Sequence, residues 1–134
     1  SDLGIEKIGQ KIFSDCYNLS AIVIPNTVKC IDHSAFYGCG KLSSVTINEG
    51  VEKIKRQAFS NCKMLKKILI PRSVTEIDDK AFSIEGWSQP YDRRRNGFST
   101  SRINDEIVIY CYMGSKGLEY ARKLGFKIEN AVKA

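Results

Sequence analysis

The sequence predicts a right-handed α/β solenoid of 23-residue units, with a parallel β-sheet on its concave face and a helix–strand cap at the C-terminal end. Three observations carry that expectation. Ile8, Ile31, Ile54 and Ile77 lie 23 residues apart, and Phe13, Phe36, Phe59 and Phe82 keep the same step. Cys16, Cys39 and Cys62 share it, as do Leu19, Leu42 and Leu65. The pairs Ile22/Ile24, Val45/Ile47 and Ile68/Ile70 alternate, which places both residues on one face of a short strand. One such unit cannot bury its own apolar face, whereas stacked units seal one another.

Within a unit, Leu-x-x-Ile-x-Ile forms the strand, and Pro25, Asn48 or Pro71 ends it. Val28, Val51 and Val74 open a Val-x-x-Ile segment that returns across the core. Ser34-Ala35-Phe36 and its equivalents read as a short helical turn capped by Ser or Asp. Regular units occupy about 5–83 of a single 1–134 domain. The fourth unit starts with Ile77 and Ala81-Phe82 and then breaks: Glu85 stands at the Cys position, and the strand signal returns only at Ile107-Val108-Ile109. About sixteen residues are therefore inserted within about 84–104. The insertion carries Trp87, Tyr91, Arg93, Arg94, Arg95 and Phe98. Asn96-Gly97 suits a two-residue hairpin turn, with Tyr91, Arg93 and Arg95 alternating before it and Phe98, Thr100 and Arg102 after it. A protruding hairpin is one reading and a plain loop the other.

A final strand and cap are expected over about 105–130. Ser115 is a natural N-cap and Gly125 a natural C-terminal stop for a helix over 116–124. Leu118, Ala121 and Leu124 share one face of it, and Phe126 and Ile128 alternate as a last strand. At the other end Ile5-x-x-Ile8 is already in phase, so the repeat is expected to extend beyond the first residue.

The runs Ala35-Phe36-x-x-Cys39-x-x-Leu42-x-x-Val45-x-Ile47 and Ala58-Phe59-x-x-Cys62-x-x-Leu65-x-x-Ile68-x-Ile70-Pro71-x-x-Val74-x-x-Ile77 resemble the BspA-like leucine-rich repeats of bacterial and protist surface proteins. The resemblance covers about residues 5–83 and resumes near 105–128, where Tyr112-x-Gly114-Ser115 and Glu119-Tyr120-Ala121-Arg122-Lys123 are similar to the usual ending of such arrays. Ile12 departs from the alanine of the pattern, and Asn48 from its proline. The resemblance implies a leucine-rich-repeat solenoid that is secreted or on the cell surface and adheres to host or neighbouring-cell proteins without catalysis.

Composition and charge narrow the chemistry. Hydrophobic content of 43% and charged content of 27% fit a folded chain, which excludes disorder. No apolar run is long enough to span a bilayer. Of a net charge of +6, most falls in residues 54–76, where Lys55, Arg56, Lys63, Lys66, Lys67 and Arg72 face Glu76 alone. A polyanion is thus a candidate partner. Nucleic acid is not expected, because no aromatic residues interleave with the basic ones for base stacking outside the insertion.

The five cysteines cannot all pair, and with His33 as the single histidine a mixed Cys/His zinc site is disfavoured. Cys16, Cys39 and Cys62 should line up as small buried filler, a poor tetrahedron and a poor disulfide geometry. Cys30 and Cys111 are out of phase and have no place in the pattern. No cofactor motif, metal-spaced acidic cluster or nucleophile–base–orienter set is present, so neither a cofactor nor catalysis is expected.

A protein partner is expected instead, on the outward strand positions. These fall into columns: Ala21, Ser44, Lys67 and Glu106; Val23, Thr46, Leu69 and Val108; Pro25, Asn48, Pro71 and Tyr110. The candidate contacts are Lys67, Leu69, Val108 and Tyr110 together with Trp87, Tyr91, Arg93, Arg94, Arg95 and Phe98 of the insertion, since Trp, Tyr and Arg dominate binding hot spots. A structural spacer and a basic polyanion-binding surface are the alternatives.

Overall fold

The computed structural model describes residues 5–87 and 99–131. In chain order the strands are β1 (Lys7–Ile8), β2 (Ala21–Ile24), β3 (Cys30–Ile31), β4 (Ser44–Ile47), β5 (Lys53–Ile54), β6 (Lys67–Leu69) and β7 (Glu76–Ile77). They are followed by β8 (Ser83–Trp87), β9 (Ser99–Ile103), β10 (Val108–Cys111), helix α1 (Lys116–Leu124) and β11 (Lys127–Asn130). The chain winds as a parallel β-solenoid. Ile31, Ile54, Val28, Val51 and Val74 point inward and are buried, so the Val-x-x-Ile return is itself a strand-forming segment. It builds a four-stranded parallel sheet in the order β1-β3-β5-β7. On the concave face β2 pairs with β4, while β6, β10 and β11 form a separate parallel sheet. The concave sheet is therefore in two pieces, parted between β4 and β6.

A third set of inter-coil bonds runs through the turns. The amides of Phe13, Phe36 and Phe59 each donate to the carbonyl of Ala35, Ala58 and Ala81 in the next coil, at 2.8 Å. The expected helical turn capped by Ser34 is replaced by this arrangement. Ser34 has φ 54°, as Lys11 and Gln57 have φ 58° and 59°, and left-handed backbone cannot act as an N-cap. Asp15, Gly38 and Asn61 repeat a second left-handed position in the same phase. Two reversals per coil turn the amides along the solenoid axis, where the neighbouring coil accepts them.

The core is a column of side chains. Phe13, Phe36, Phe59 and Phe82 stack ring on ring at 5.1–5.3 Å, a spacing set by the strands on either side. Tyr120 and Phe126 continue the column into the cap. Phe36, Leu42, Phe59, Leu65, Ile68 and Ile70 are buried, whereas Ile8, in the first coil described, is only partly covered.

The cap follows the sequence closely. Ser115 Oγ accepts from the Leu118 amide at 3.2 Å, and Gly125 takes φ 83° with its N–H on the Ala121 carbonyl. Gly117 lets the helix touch the sheet: a Cβ there would lie 2.8 Å from Ile70 Cγ2. The last strand differs from expectation in one respect. Phe126 is buried, but Ile128, in register with Ile109, remains 38% exposed.

The register of β10 corrects the sequence count. Ile109 pairs with Ile68, and Tyr110 with Leu69, so the insertion is two residues longer than the spacing of Ile77 and Ile109 suggested. The reason is that Ile107 and Ile109 alternate like the strand pair Ile68 and Ile70, whereas that pair is matched by Ile109 and Cys111 in a shortened unit. Ile107 takes the buried leucine place, with its amide on Asn104 as that of Leu65 is on Cys62, but one fewer residue separates it from the strand isoleucine. Cys111 then falls into the inward column of Ile24, Ile47 and Ile70. It is buried beneath Gly117, and the small thiol makes room for the helix.

The insertion forms an antiparallel pair of strands, but not the hairpin expected about Asn96-Gly97 with 91–95 as its first arm. Residues 99–103 pair antiparallel with 83–87, not with 91–95. The Asn96-Gly97 turn lies outside the described residues.

Candidate functional site

The concave face presents two outward columns. Strand register aligns Ala21 with Ser44, and Lys67 with Val108 and Lys127. The second column aligns Val23 with Thr46, and Leu69 with Tyr110 and Glu129. Val108 thus stands beside Lys67 and Tyr110 beside Leu69, two residues along the strand from where the sequence count put them. Glu106 leaves the face altogether and binds Lys66 at 2.6 Å. Val23 is 64% and Leu69 39% exposed, large apolar groups held on rigid backbone. Lys127 and Glu129 were not foreseen, because the final strand gives no repeat signal beyond Phe126 and Ile128.

Between the two pieces of the sheet lies a recess of about 390 Å³, lined by Ser43, Ser44, Val45, Thr46, Lys67, Ile68, Leu69 and Tyr110. A larger one, about 690 Å³, separates β7 from α1. Its charges are largely satisfied internally, Lys123 on Asp79 at 3.0 Å and Lys116 on Glu119 at 3.4 Å. The concave recess is the better candidate because Lys67, its one charged lining residue, makes no ion pair among the described residues.

Lys67, Leu69, Val108 and Tyr110 therefore come together. Trp87 pairs by its backbone with Ser99 at the far end of β8 from Ser83. Tyr91, Arg93, Arg94, Arg95 and Phe98 lie outside the described residues. The hairpin's base sits on the turn of the preceding coil and not on the concave face. Ser83 Oγ and Ser60 Oγ are 2.7 Å apart, the Asn61 amide donates to the Ser83 carbonyl, and the Glu85 amide donates to Asn61 Oδ1 at 2.7 Å. Glu85, at the cysteine phase, accepts from the hydroxyls of Ser83 and Ser101.

Burial of the Glu85 carboxyl opposes its ionisation, yet the hydroxyls of Ser83 and Ser101, the charge of Lys80 and Gln57 outweigh it and hold its pKa below the ordinary 4.5. A depressed pKa stabilises the folded form above 4.5, and that contribution is lost as pH falls below 4.5 and through the folded value. The protection factors of the Ser101 and Arg102 amides, corrected for the pH dependence of exchange in an unstructured chain, should therefore fall below pH 4.5 and lose that acid step in Glu85→Gln.

The basic stretch is dispersed. Lys66 is paired with Glu106, Arg72 stacks 4.1 Å over the Tyr112 ring, and Lys55 and Arg56 share a recess with Glu76, Asp78 and Asp79. No continuous cationic track results. Among the described residues, no group of His, Cys, Asp and Glu is arranged to hold a metal, and no helix is long and apolar enough to cross a membrane.

The cysteine column has a hydrogen-bonding role that filler alone does not describe. Cys39 and Cys62 thiols donate to the carbonyls of Phe13 and Phe36 at 3.1 and 3.3 Å. Burial pushes the Cys62 thiol up to about 12 and raises Cys39 and Cys111 as well. Cys30 sits on β3 beside Asp32 and His33, but burial and the Asp32 charge raise its pKa, the opposite of an activated nucleophile. Alkylation at neutral pH should accordingly label Cys16 and Cys30 first and Cys39, Cys62 and Cys111 only on unfolding; mass mapping that finds Cys62 labelled in the native state would contradict this packing.

The sequence profile of the BspA type Leucine rich repeat region matches residues 3–89 in six copies. The chain belongs to the BspA-type leucine-rich-repeat family. The crystal structure of a leucine-rich-repeat protein of T. pallidum is similar across 99% of this chain and 83% of that one, at 19% identity and a TM-score of 0.57. At that identity the likeness speaks for the solenoid fold alone. No curated protein matches the sequence. The BspA-type repeat thus accounts for the coils.

Proposed function

We propose that this BspA-type array is a non-catalytic protein-binding module, secreted or displayed at a cell surface, that adheres to a protein partner through its concave face. The observation that carries the reading is the outward pairs Val23/Thr46 and Leu69/Tyr110, the first three residues exposed and Tyr110 half-buried, flanking an open recess. Extended sheet faces of solenoids serve as binding surfaces, and exposed apolar groups on them are the groups that desolvation would reward. The insertion, with Trp87, Tyr91, Arg93, Arg94, Arg95 and Phe98, is proposed as a second contact on grounds of residue type.

The test is capture of partners by the whole chain compared with Leu69→Asp and with a chain whose residues 88–98 are replaced by a short glycine turn. Leu69→Asp should lose the partner with its melting temperature retained. The shortened hairpin should lose it only where the insertion contributes. Undiminished capture by both variants would overturn the reading.

A further inference from the structure

We propose that the concave recess takes an extended acidic segment of a polypeptide, in which an aspartate or glutamate is followed two residues on by a large apolar side chain. This rests on the protein-binding reading above and names the chemistry of the partner. Lys67 and Leu69 alternate on β6, so they face the same way about 7 Å apart. Any extended peptide repeats its own same-face side chains at that spacing. A segment laid along β6 therefore sets its acid over Lys67 when its apolar residue sits over Leu69.

Charge selects the acid. Among the described residues Lys67 makes no ion pair, and the nearby Glu106, which also feels the charge of Lys127, is held by Lys66 at 2.6 Å. Glu129 belongs to the other column, beside Tyr110. The first column thus carries uncompensated positive charge and the second carries apolar surface.

The recess selects the apolar residue. Thr46 and Leu69 stand on either side of the parting, Val45 and Ile68 line it, and Tyr110 adds an aromatic wall. Its volume of about 390 Å³ admits a leucine side chain. Along the parting β4 and β6 do not pair with each other, yet their Cα atoms come within 8 Å, so a ligand segment lies over the face along β6 and not between the two strands. A uniform polyanion fits less well, because Lys67 and Lys127 are separated by Val108 and flanked by the apolar column.

The experiment uses the full chain and fluorescein-labelled, end-capped peptides about six residues long, a usual strand length. One alternates Asp with Leu; two others carry Asn or Lys in place of Asp. Fluorescence anisotropy should show saturable binding of the Asp–Leu peptide, about tenfold tighter than either companion, and weakened about tenfold in Lys67→Glu. Lys67 is exposed, so an unchanged melting temperature confirms that the variant is folded. Equal binding of the Asp and Asn peptides, or no effect of Lys67→Glu, overturns the acid preference. If a companion peptide then binds and Leu69→Asp abolishes it, the protein-binding reading of the face survives. Absence of binding by all three overturns the proposal, and partner capture with Leu69→Asp decides the wider reading separately. Displacement of the Asp–Leu peptide by heparin as effective as by unlabelled peptide overturns it in favour of a polyanion site.

Discussion

Replacing Phe59 with alanine is expected to remove about 3–5 kcal/mol of unfolding free energy. Its ring stacks on Phe36 at 5.1 Å and on Phe82 at 5.3 Å, nearly parallel to both. The neighbouring rings cannot close the gap. Each is fixed by strands on two sides, and the Phe59 backbone is itself tied to Ala81 at 2.8 Å. A cavity that cannot collapse carries the larger cost. Phe13→Ala, which removes a partly covered ring at the end of the stack, should cost clearly less. Urea melts of the two variants check the ordering, and similar losses would mean that the stack does not carry the stability of the middle coils.

Gly50→Ala should cost about 2–4 kcal/mol, from backbone strain and overpacking acting together. Gly50 has φ 123°, and a Cβ there would lie 2.4 Å from the backbone oxygen of Asn26. Its amide also donates to Ser73 Oγ at 2.9 Å, so the turn cannot shift without breaking an inter-coil bond. Its counterparts Thr27 and Ser73 do not take positive φ, so the turn of this coil follows a different path at Gly50. Gly40→Ala is the control: nothing lies within 4 Å of the Cβ it would add, and its φ is not positive. Thermal melts should separate the two variants, with Gly40→Ala near neutral.

The coil and its phase were legible because apolar positions repeated at one step, and each repeat had a single physical reading. The cap was legible from Ser115 and Gly125, whose chemistry is local. Other features were not. The left-handed positions are filled by Lys11, Ser34 and Gln57, residue types that do not announce such backbone. The register of β10 was lost because one residue is missing before Ile109, and residue counting assumes that none is. Tyr120 joins the phenylalanine stack from outside the repeat, so no spacing pointed to it. Of the candidate site, the outward alternation of Lys67 and Leu69 could be read directly. The parting between β4 and β6 could not, since both strands follow the same sequence pattern.

The hairpin neck at Ser83 and Ile103 has an evolutionary consequence. Because these residues lie opposite each other, the chain returns beside the point where it left, and the winding resumes at Asn104 with its amide on the Phe82 carbonyl. The excursion is closed off from the coil, and its length is free to vary at little thermodynamic cost. The neck is thus a port in an otherwise fixed lattice. Sequence drift beyond it can explore new partners while the inherited coils stay untouched.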